Sequence, residues 1–233
     1  DERCARFPLL AAMRERVILF DGAMGTMLHS ATLSLDELRE ADVPHLLALS
    51  RSVGWSVPED AFHAIFATGR AFGHRTPDGE LISSSAIFLY GGALASMGYV
   101  IVHPAWQRRG LGEAAVRRCL EALPRPDTPV TLVATPQGRR LYQQLGFITV
   151  DSMHRLTARA PLALPPAPGC HAAPLAGEAA EAALRMDPEA FGADRRALLR
   201  SLLAQARSSA ALIGEGGGVI GYGIGTDRED LVA

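Results

Sequence analysis

Residues 100–112, VIVHPAWQRRGLG, are the stretch of this chain that decides its fold. An apolar run is followed by a proline, a short loop and a glycine-containing turn that opens a helical pattern. That order aims unpaired backbone N–H groups and the positive end of a helix dipole at one point, which favours a pyrophosphate site. Gly110 and Gly112 let the backbone approach phosphate closely, and Arg108 and Arg109 add positive charge. Taken alone, the turn is equally consistent with a solvated, arginine-rich helix start.

A second motif, GRRLYQQLGF at residues 138–147, follows a short apolar run at Val130–Ala134. The run is continuous rather than alternating, which is typical of a strand buried on both faces. Leu141, Tyr142 and Leu145 are spaced along one face of the helix that this motif predicts. The two motifs therefore predict a strand, a helix, a second strand and a second helix in succession.

The residues on either side of the motifs predict the rest of a mixed sheet. Upstream, Asp42 is predicted to cap one helix, and residues 56–59 are predicted to form the capping box of another. Downstream, Phe147–Val150 and His154–Ala158 are predicted to be strands that close the sheet. The remaining predicted elements are strands over residues 32–38, 70–75, 81–90 and 95–102, an Asp-Gly hairpin turn at 78–79 and a helix over 110–123.

Together the two motifs resemble those of the GNAT superfamily of N-acetyltransferases, and the resemblance covers residues 31–158. It implies an α/β (α+β) fold, the GNAT fold, with a mixed central sheet that is flanked by helices. It further implies that the fourth and fifth strands splay apart and that acetyl-CoA, as co-substrate, lies between them. Direct transfer of the acetyl group would need no metal and no enzyme nucleophile.

The resemblance also assigns roles to individual residues. The strand backbone at Val100, Ile101 and Val102 is expected to pair with the pantetheine arm of acetyl-CoA, and an N–H near Val100 to stabilise the oxyanion. Tyr142 is expected to protonate the departing CoA thiolate, with a plain core aromatic as the open alternative. The residues expected around the pyrophosphate are Gln107, Arg108, Arg109, Gly110, Leu111, Gly112 and Glu113.

The sequence does not identify the general base that an alkyl amine needs before it can attack. Residues 93–102 contain no carboxylate. Glu59 and Asp60 border the expected acceptor side, and water relayed through backbone carbonyls is the preferred alternative. His103 is interpreted as structural, Trp106 as packing the loop, and Cys119 as an inert core residue.

The flanking segments carry other patterns. Residues 1–30 form an amino-terminal appendage, in which residues 14–28, RERVILFDGAMGTML, resemble the start of cobalamin-dependent methionine synthase and homocysteine S-methyltransferases. The four prolines of residues 159–169 predict a semi-rigid linker. Residues 170–233 resemble the opening half of a second GNAT domain. Because the chain starts at Asp1 rather than Met, we expect it to be a fragment.

The bulk composition narrows the classes of partner and the compartment. A net charge of −2 disfavours nucleic acid and anionic membranes as partners. Three dispersed cysteines favour a reducing compartment, and Asp21 ends the one early apolar run after four residues, so we expect a cytoplasmic protein. All 23 basic residues are arginine, which indicates a GC-rich and therefore bacterial genome and excludes Schiff-base chemistry on a lysine. A homodimer is left open.

These observations predict an N-acetyltransferase that moves an acetyl group from acetyl-CoA to a primary amine of a small molecule or peptide. The alternative is a non-catalytic acyl-CoA-binding module with a regulatory or structural role. The absence of a strand carboxylate and the incomplete second domain motivate that alternative.

Overall fold

The computed structural model of the protein describes residues 33–153, 168–225 and 230–232. The chain divides into two compact units, residues 1–150 and residues 151–233, and each unit has its own sheet. The predicted strand His154–Ala158, the methyltransferase-like residues 14–28 and most of the linker lie outside the described residues.

The first unit is built on a five-stranded mixed sheet in the order β1-β2-β3-β4-β5. The first four strands pair antiparallel with their neighbours, and the last pairing, between β4 and β5, is parallel. The sheet confirms the predicted fold class. The strands are β1 Ser34–Leu38, β2 Gly69–Arg75, β3 Ser83–Tyr90, β4 Leu94–Val102 and β5 Val130–Leu132.

Two pairs of helices cover the two faces of this sheet. Side chains alternate between the two faces along β2, so this strand contributes to both hydrophobic clusters. Ala71 belongs to the cluster under α1 and α2, and Phe72 belongs to the cluster under α3 and α4. Both side chains are almost fully buried. The helices are α1 Val43–Ser52, α2 Glu59–Thr68, α3 Leu111–Glu121 and α4 Arg139–Gln144.

The predicted helix caps are wrong in detail. Asp42 precedes α1, but its carboxylate does not cap that helix; it accepts hydrogen bonds from the backbone N–H of Arg39 and from the Arg75 guanidinium. The residue at the N-cap of α2 is Pro58, which offers no side-chain acceptor, so no capping box forms there. The Asp42 carboxylate therefore joins the turn before α1 to Arg75 of β2, instead of capping α1.

The far edge of the sheet also departs from expectation. The apolar run at Val130–Ala134 gives a strand of only three residues, each half-buried, and Val133 is 69% exposed. Phe147–Val150 does not form a strand, and Ile148 and Val150 are more than half exposed. Apolar composition predicted buried strands here, but β5 is covered on only one face, by the cluster that packs under α3 and α4.

The second unit repeats the strand–helix–helix–hairpin order of the first. Its sheet has the order β6-β7-β8-β9, and all three pairings are antiparallel. Tyr222, Ile224 and Leu199 lie in its core. The elements are β6 Cys170–Pro174, α5 Gly177–Phe191, α6 Arg196–Gln205, β7 Ser208–Gly214, β8 Val219–Gly225 and β9 Asp230–Val232.

Candidate functional site

The first feature of the site is a fork between β4 and β5. The two parallel strands pair only from Ala95 with Val130 to Met97 with Leu132. Beyond Met97, β4 continues for five residues with no strand beside it on that side among the described residues. The predicted splay of the fourth and fifth strands is therefore present, and it exposes a row of backbone groups that another extended chain could pair with.

The backbone groups that face the open side of the fork can be assigned from the register. The N–H of His103 donates to the carbonyl of Ile82 on the β3 side, so by alternation the N–H and C=O of Val102 and of Val100 point into the fork. The Val102 carbonyl accepts a hydrogen bond of 3.1 Å from Nε2 of Gln107. Val100 and Val102 thus lie on the open side of the fork, and Gln107 connects the loop to the end of the strand.

A β-bulge interrupts β4 at the mouth of the fork. Gly98 pairs with Ala86 and Ile101 with Ser84, so two residues of β4 face one residue of β3. Tyr99 has a φ of 51°, an uncommon backbone conformation for a side chain of this size. Because the bulge interrupts the regular ladder, strand pairing alone does not set the direction of the backbone beside Val100.

Sequence reasoning missed the residue that fixes this bulge. The Ser84 hydroxyl donates a hydrogen bond of 2.8 Å to the carbonyl of Tyr99, and Ser84 is fully buried. The available signal was the run of three serines at residues 83–85 in an otherwise apolar strand. A buried hydroxyl requires a partner, and such a run therefore indicates local hydrogen bonding to an irregular neighbour.

The loop after β4 has the backbone geometry expected of an anion site. A short 3-10 turn at Pro104–Trp106 precedes Arg108 and Gly110, whose φ values are 62° and 79°. A Cβ on Gly110 would meet no atom within 4 Å, so this position faces open space. Both left-handed residues turn the chain so that it enters α3 with its first N–H groups exposed.

The first turn of α3 carries backbone N–H groups that are available as hydrogen-bond donors. Gly110 is the N-cap residue and has no side chain to accept a hydrogen bond, and Ala114 is the first residue whose N–H bonds back, to the Gly110 carbonyl at 3.0 Å. The N–H groups of Leu111, Gly112 and Glu113 have no acceptor among the described residues. Three parallel donors at the positive end of a helix make a site for an anionic group.

The charged side chains near this turn differ in the contacts that they make within the protein. The Arg109 guanidinium lies 4.7 Å from the centre of the Trp106 ring and donates to the Ala105 carbonyl. The Glu113 carboxylate pairs with Arg117 at 2.8 Å, one turn further along α3. His103 accepts from the N–H of Ala105, which agrees with the structural role predicted for it. Arg109 and Glu113 thus brace the loop and the helix.

Tyr142 lies on α4, in the cluster that also contains Met97 and Leu132 from the two arms of the fork. Its ring contacts Phe147 edge-on, with 5.8 Å between the ring centres. A Cβ on Gly138 would lie 3.1 Å from the Tyr142 ring, so glycine at that position gives the ring its room. Burial raises the pKa of the Tyr142 hydroxyl above its usual value of 10.0, which keeps the phenol protonated.

No carboxylate lies on β3 or β4, whose residues from Ser83 to Val102 include no acidic side chain. Glu59 is 62% exposed on α2 and faces Nε2 of His63 at 3.8 Å, while Nδ1 of the same histidine is 2.8 Å from Glu40. Asp60 is in the first turn of the same helix, two residues before Phe62. Glu59 and Asp60 therefore lie on the helix, and neither is on a strand that forms the fork.

Comparison with known proteins follows the same division of the chain. Residues 72–149 match an acetyltransferase (GNAT) domain family, and residues 183–232 match a second acetyltransferase (GNAT) domain family. The chain is 30% identical, over 203 residues, to the protein named "Uncharacterized N-acetyltransferase YitH" of Bacillus subtilis (strain 168), which spans 82% of this chain and 67% of the relative. The chain belongs to the GNAT acetyltransferase family.

This acetyltransferase also shares its fold with a solved protein, a presumed acetyltransferase of Pyrococcus horikoshii. The two structures agree with a TM-score of 0.63 at 21% identity, over 89% of this chain and 73% of that one. The protein is therefore an acyltransferase, and acetyl-CoA is the donor that GNAT acetyltransferases use.

Within the described residues there is no helix long and apolar enough to cross a bilayer and no cluster of three metal-ligating side chains. The resemblance of residues 14–28 to methyltransferases stays a prediction.

Proposed function

We propose that this acetyltransferase transfers the acetyl group of acetyl-CoA directly to a primary amine of a small molecule or peptide. The observation that carries the proposal is the joint placement of the β4–β5 fork and the uncapped first turn of α3, which lie at the two ends of one loop. An extended pantetheine arm fits the first, and a pyrophosphate fits the second.

The donor would be held by the residues that the sequence analysis assigns. Backbone groups of Val100 and Val102 pair with the pantetheine amides, with Ile101 between them anchored in the core. The N–H groups of Leu111, Gly112 and Glu113 receive the pyrophosphate, beside Gly110 and the side chains of Gln107, Arg108 and Arg109. Arg108 would supply charge to the phosphates, since Arg109 already stacks on Trp106.

The reaction then needs three things from the protein. The neutral amine attacks the thioester carbonyl, and the bulge beside Val100 presents an N–H to the oxyanion that forms. Tyr142 gives its proton to the leaving sulfur, and the solvent restores it. With no carboxylate on the fork strands, water relayed through backbone carbonyls accepts the proton of the amine.

A thiol-release assay with acetyl-CoA and a panel of amines tests the proposal. We expect free CoA to appear with the wild type and to be lost in Gly110→Glu, because that substitution puts a carboxylate where the phosphates bind. The matched control is Gly79→Glu at the β2–β3 turn, which has a similar φ of 86° and equally open surroundings. Gly79→Glu should retain turnover; full activity in Gly110→Glu would refute the site.

A second function is favoured by one observation, the lack of a carboxylate on the fork strands. A module that binds acyl-CoA without turnover needs the fork and the loop but no base. Calorimetry together with the CoA-release assay separates the two functions. Binding of acetyl-CoA without CoA release for any amine would show a non-catalytic module. Turnover with any amine at physiological pH would rule out that function.

A further inference from the structure

The strongest unassigned feature of the first unit is an open space beside Gly98, on the α1–α2 face of the sheet. Gly98 pairs with Ala86, whose side chain is buried in the cluster under α1 and α2, so a side chain at Gly98 would point to the same face. Apart from its chain neighbours Met97 and Tyr99, a Cβ built on Gly98 meets no atom within 4 Å. The space adjoins the bulge, next to the backbone where the thioester is proposed to lie.

Aromatic side chains lie on the same face of the sheet as Gly98, in or against the cluster that contains Ala86. The Tyr99 ring lies 5.2 Å from the ring of Phe62 on α2 and 6.3 Å from the ring of Phe88 on β3. Phe66, one turn after Phe62 on the same helix, packs against the same cluster. Tyr99, Phe88 and Phe66 are only partly buried, unlike Phe62.

The two strands beside this space carry no charged side chain, because residues 83–102 include no Asp, Glu, Arg or His. On α2, Glu59 pairs with His63, and Asp60 lies two positions before Phe62, on the opposite side of the helix. A second positive charge on the acceptor would find no counter-ion here, and its burial would cost free energy.

We propose that the acceptor is a primary amine that carries an aromatic or bulky apolar group, and that this group occupies the space beside Gly98 against Tyr99 and Phe88. This inference rests on the proposed function, because it names the substrate class of the same site. Polyamines and free lysine are excluded as preferred acceptors. Gly98 is the residue that determines the size of the acceptor, since any larger side chain there fills the space.

The test compares 2-phenylethylamine, ethylamine and spermidine as acceptors, with the wild type, Gly98→Ala and Gly98→Val. We expect kcat/KM for 2-phenylethylamine to exceed that for ethylamine by at least about tenfold, since even one methylene in an apolar pocket is worth roughly 10-fold or more. Gly98→Val should raise the KM for 2-phenylethylamine by about tenfold, and Gly98→Ala by less. The Kd for acetyl-CoA should not change in either variant, which separates a filled pocket from a damaged fork.

A binding measurement keeps this test independent of turnover. Calorimetric titration of 2-phenylethylamine into the CoA-saturated protein should show binding in the wild type and about tenfold weaker binding in Gly98→Val. A preference for spermidine, or equal binding by the wild type and Gly98→Val, would overturn the inference while leaving the acetyltransferase assignment intact. Absence of CoA release with every amine, together with binding at Gly98, would instead count against the proposed function.

Discussion

The hydroxyl of Ser84 donates a hydrogen bond of 2.8 Å to the carbonyl of Tyr99, and this bond holds the β4 bulge in place. Tyr99 has a left-handed φ of 51°, which costs free energy unless its surroundings fix it. Ser84 is fully buried on β3, and Tyr99 is partly buried. The orientation of the backbone beside Val100 thus depends on a side chain of the neighbouring strand.

We expect Ser84→Ala to lower kcat by about tenfold to a hundredfold, because a misplaced bulge presents its N–H poorly to the oxyanion. The KM for acetyl-CoA should change little, since the phosphates are held at α3. Ser84→Thr, which keeps the hydroxyl, should recover part of the lost activity. Steady-state kinetics of the full chain check this prediction.

Ser85→Ala is the matched control for Ser84→Ala. Ser85 is equally buried, but its hydroxyl contacts the thiol of Cys119 at 3.2 Å on the opposite face of the sheet. If Ser85→Ala lowers kcat as much as Ser84→Ala does, the effect is one of general strand packing, and the positioning role of Ser84 is wrong.

Tyr142→Phe should lower kcat by about a hundredfold to a thousandfold, the usual range for loss of a general acid. Because burial raises the pKa of Tyr142 above that of a free tyrosine, its deprotonation should not reduce kcat at neutral or mildly alkaline pH. The pH profile of kcat, measured for both proteins, checks both statements. Wild-type kcat in Tyr142→Phe with an unchanged melting temperature would mean that Tyr142 is a plain core aromatic.

His74 gives the first unit a dependence of stability on pH. It is buried on β2, with Nδ1 2.7 Å from the Ser83 hydroxyl, and burial lowers its pKa below the usual 6.5. As pH falls through 6.5, the unfolded chain takes up a proton at His74 and the folded protein does not, so the free energy of unfolding falls. The stability that neutral His74 contributes is present above this pH and is lost in acid.

We expect His74→Asn to reduce the fall in melting temperature between pH 7 and pH 5, because the residue that protonates on unfolding is gone. His45→Asn is the control, since the His45 side chain is 53% exposed. Thermal unfolding of the two variants and the wild type over this range decides the matter. Identical pH dependence in His74→Asn and wild type would contradict the prediction.

Asp187 is the centre of a buried polar network in the second unit. Its carboxylate is fully buried, makes a two-point contact with the Arg195 guanidinium at 2.8 and 3.0 Å, and accepts a hydrogen bond from the Tyr222 hydroxyl. Asp187→Ala should cost about 3 kcal/mol or more, because it leaves the largely buried Arg195 cation without its carboxylate. Urea unfolding of the full chain measures this loss.

The control for Asp187 is Asp194→Ala, which removes another aspartate–arginine pair of the same unit. Asp194 is 38% exposed and Arg196 is 50% exposed, so this pair is solvated and its removal should cost less than about 1 kcal/mol. If the two variants lose the same free energy of unfolding, burial does not determine how much each ion pair contributes to stability.

The resemblance to the GNAT superfamily predicts the fork and the role of Tyr142. Local pattern predicts the loop, from an apolar strand that ends before Pro104 and two glycines, and it predicts the helix that carries Tyr142. It does not predict the bulge, since the bond from Ser84 to Tyr99 joins residues fifteen positions apart whose register only the paired strands define. The strand predicted at Phe147–Val150 does not form, for a related reason. Apolar composition indicates a tendency to be buried, and only the sheet edge decides whether a partner strand is there.

Two residues of the loop, Arg108 and Gly110, have left-handed backbone angles. Where the fold itself sets these angles, the entropy of ordering the segment is lost when the chain folds rather than when the donor binds. Association with a preorganised loop of this kind involves little rearrangement, so diffusion and charge would determine the association rate of a diphosphate. The binding enthalpy would come mainly from the new hydrogen bonds.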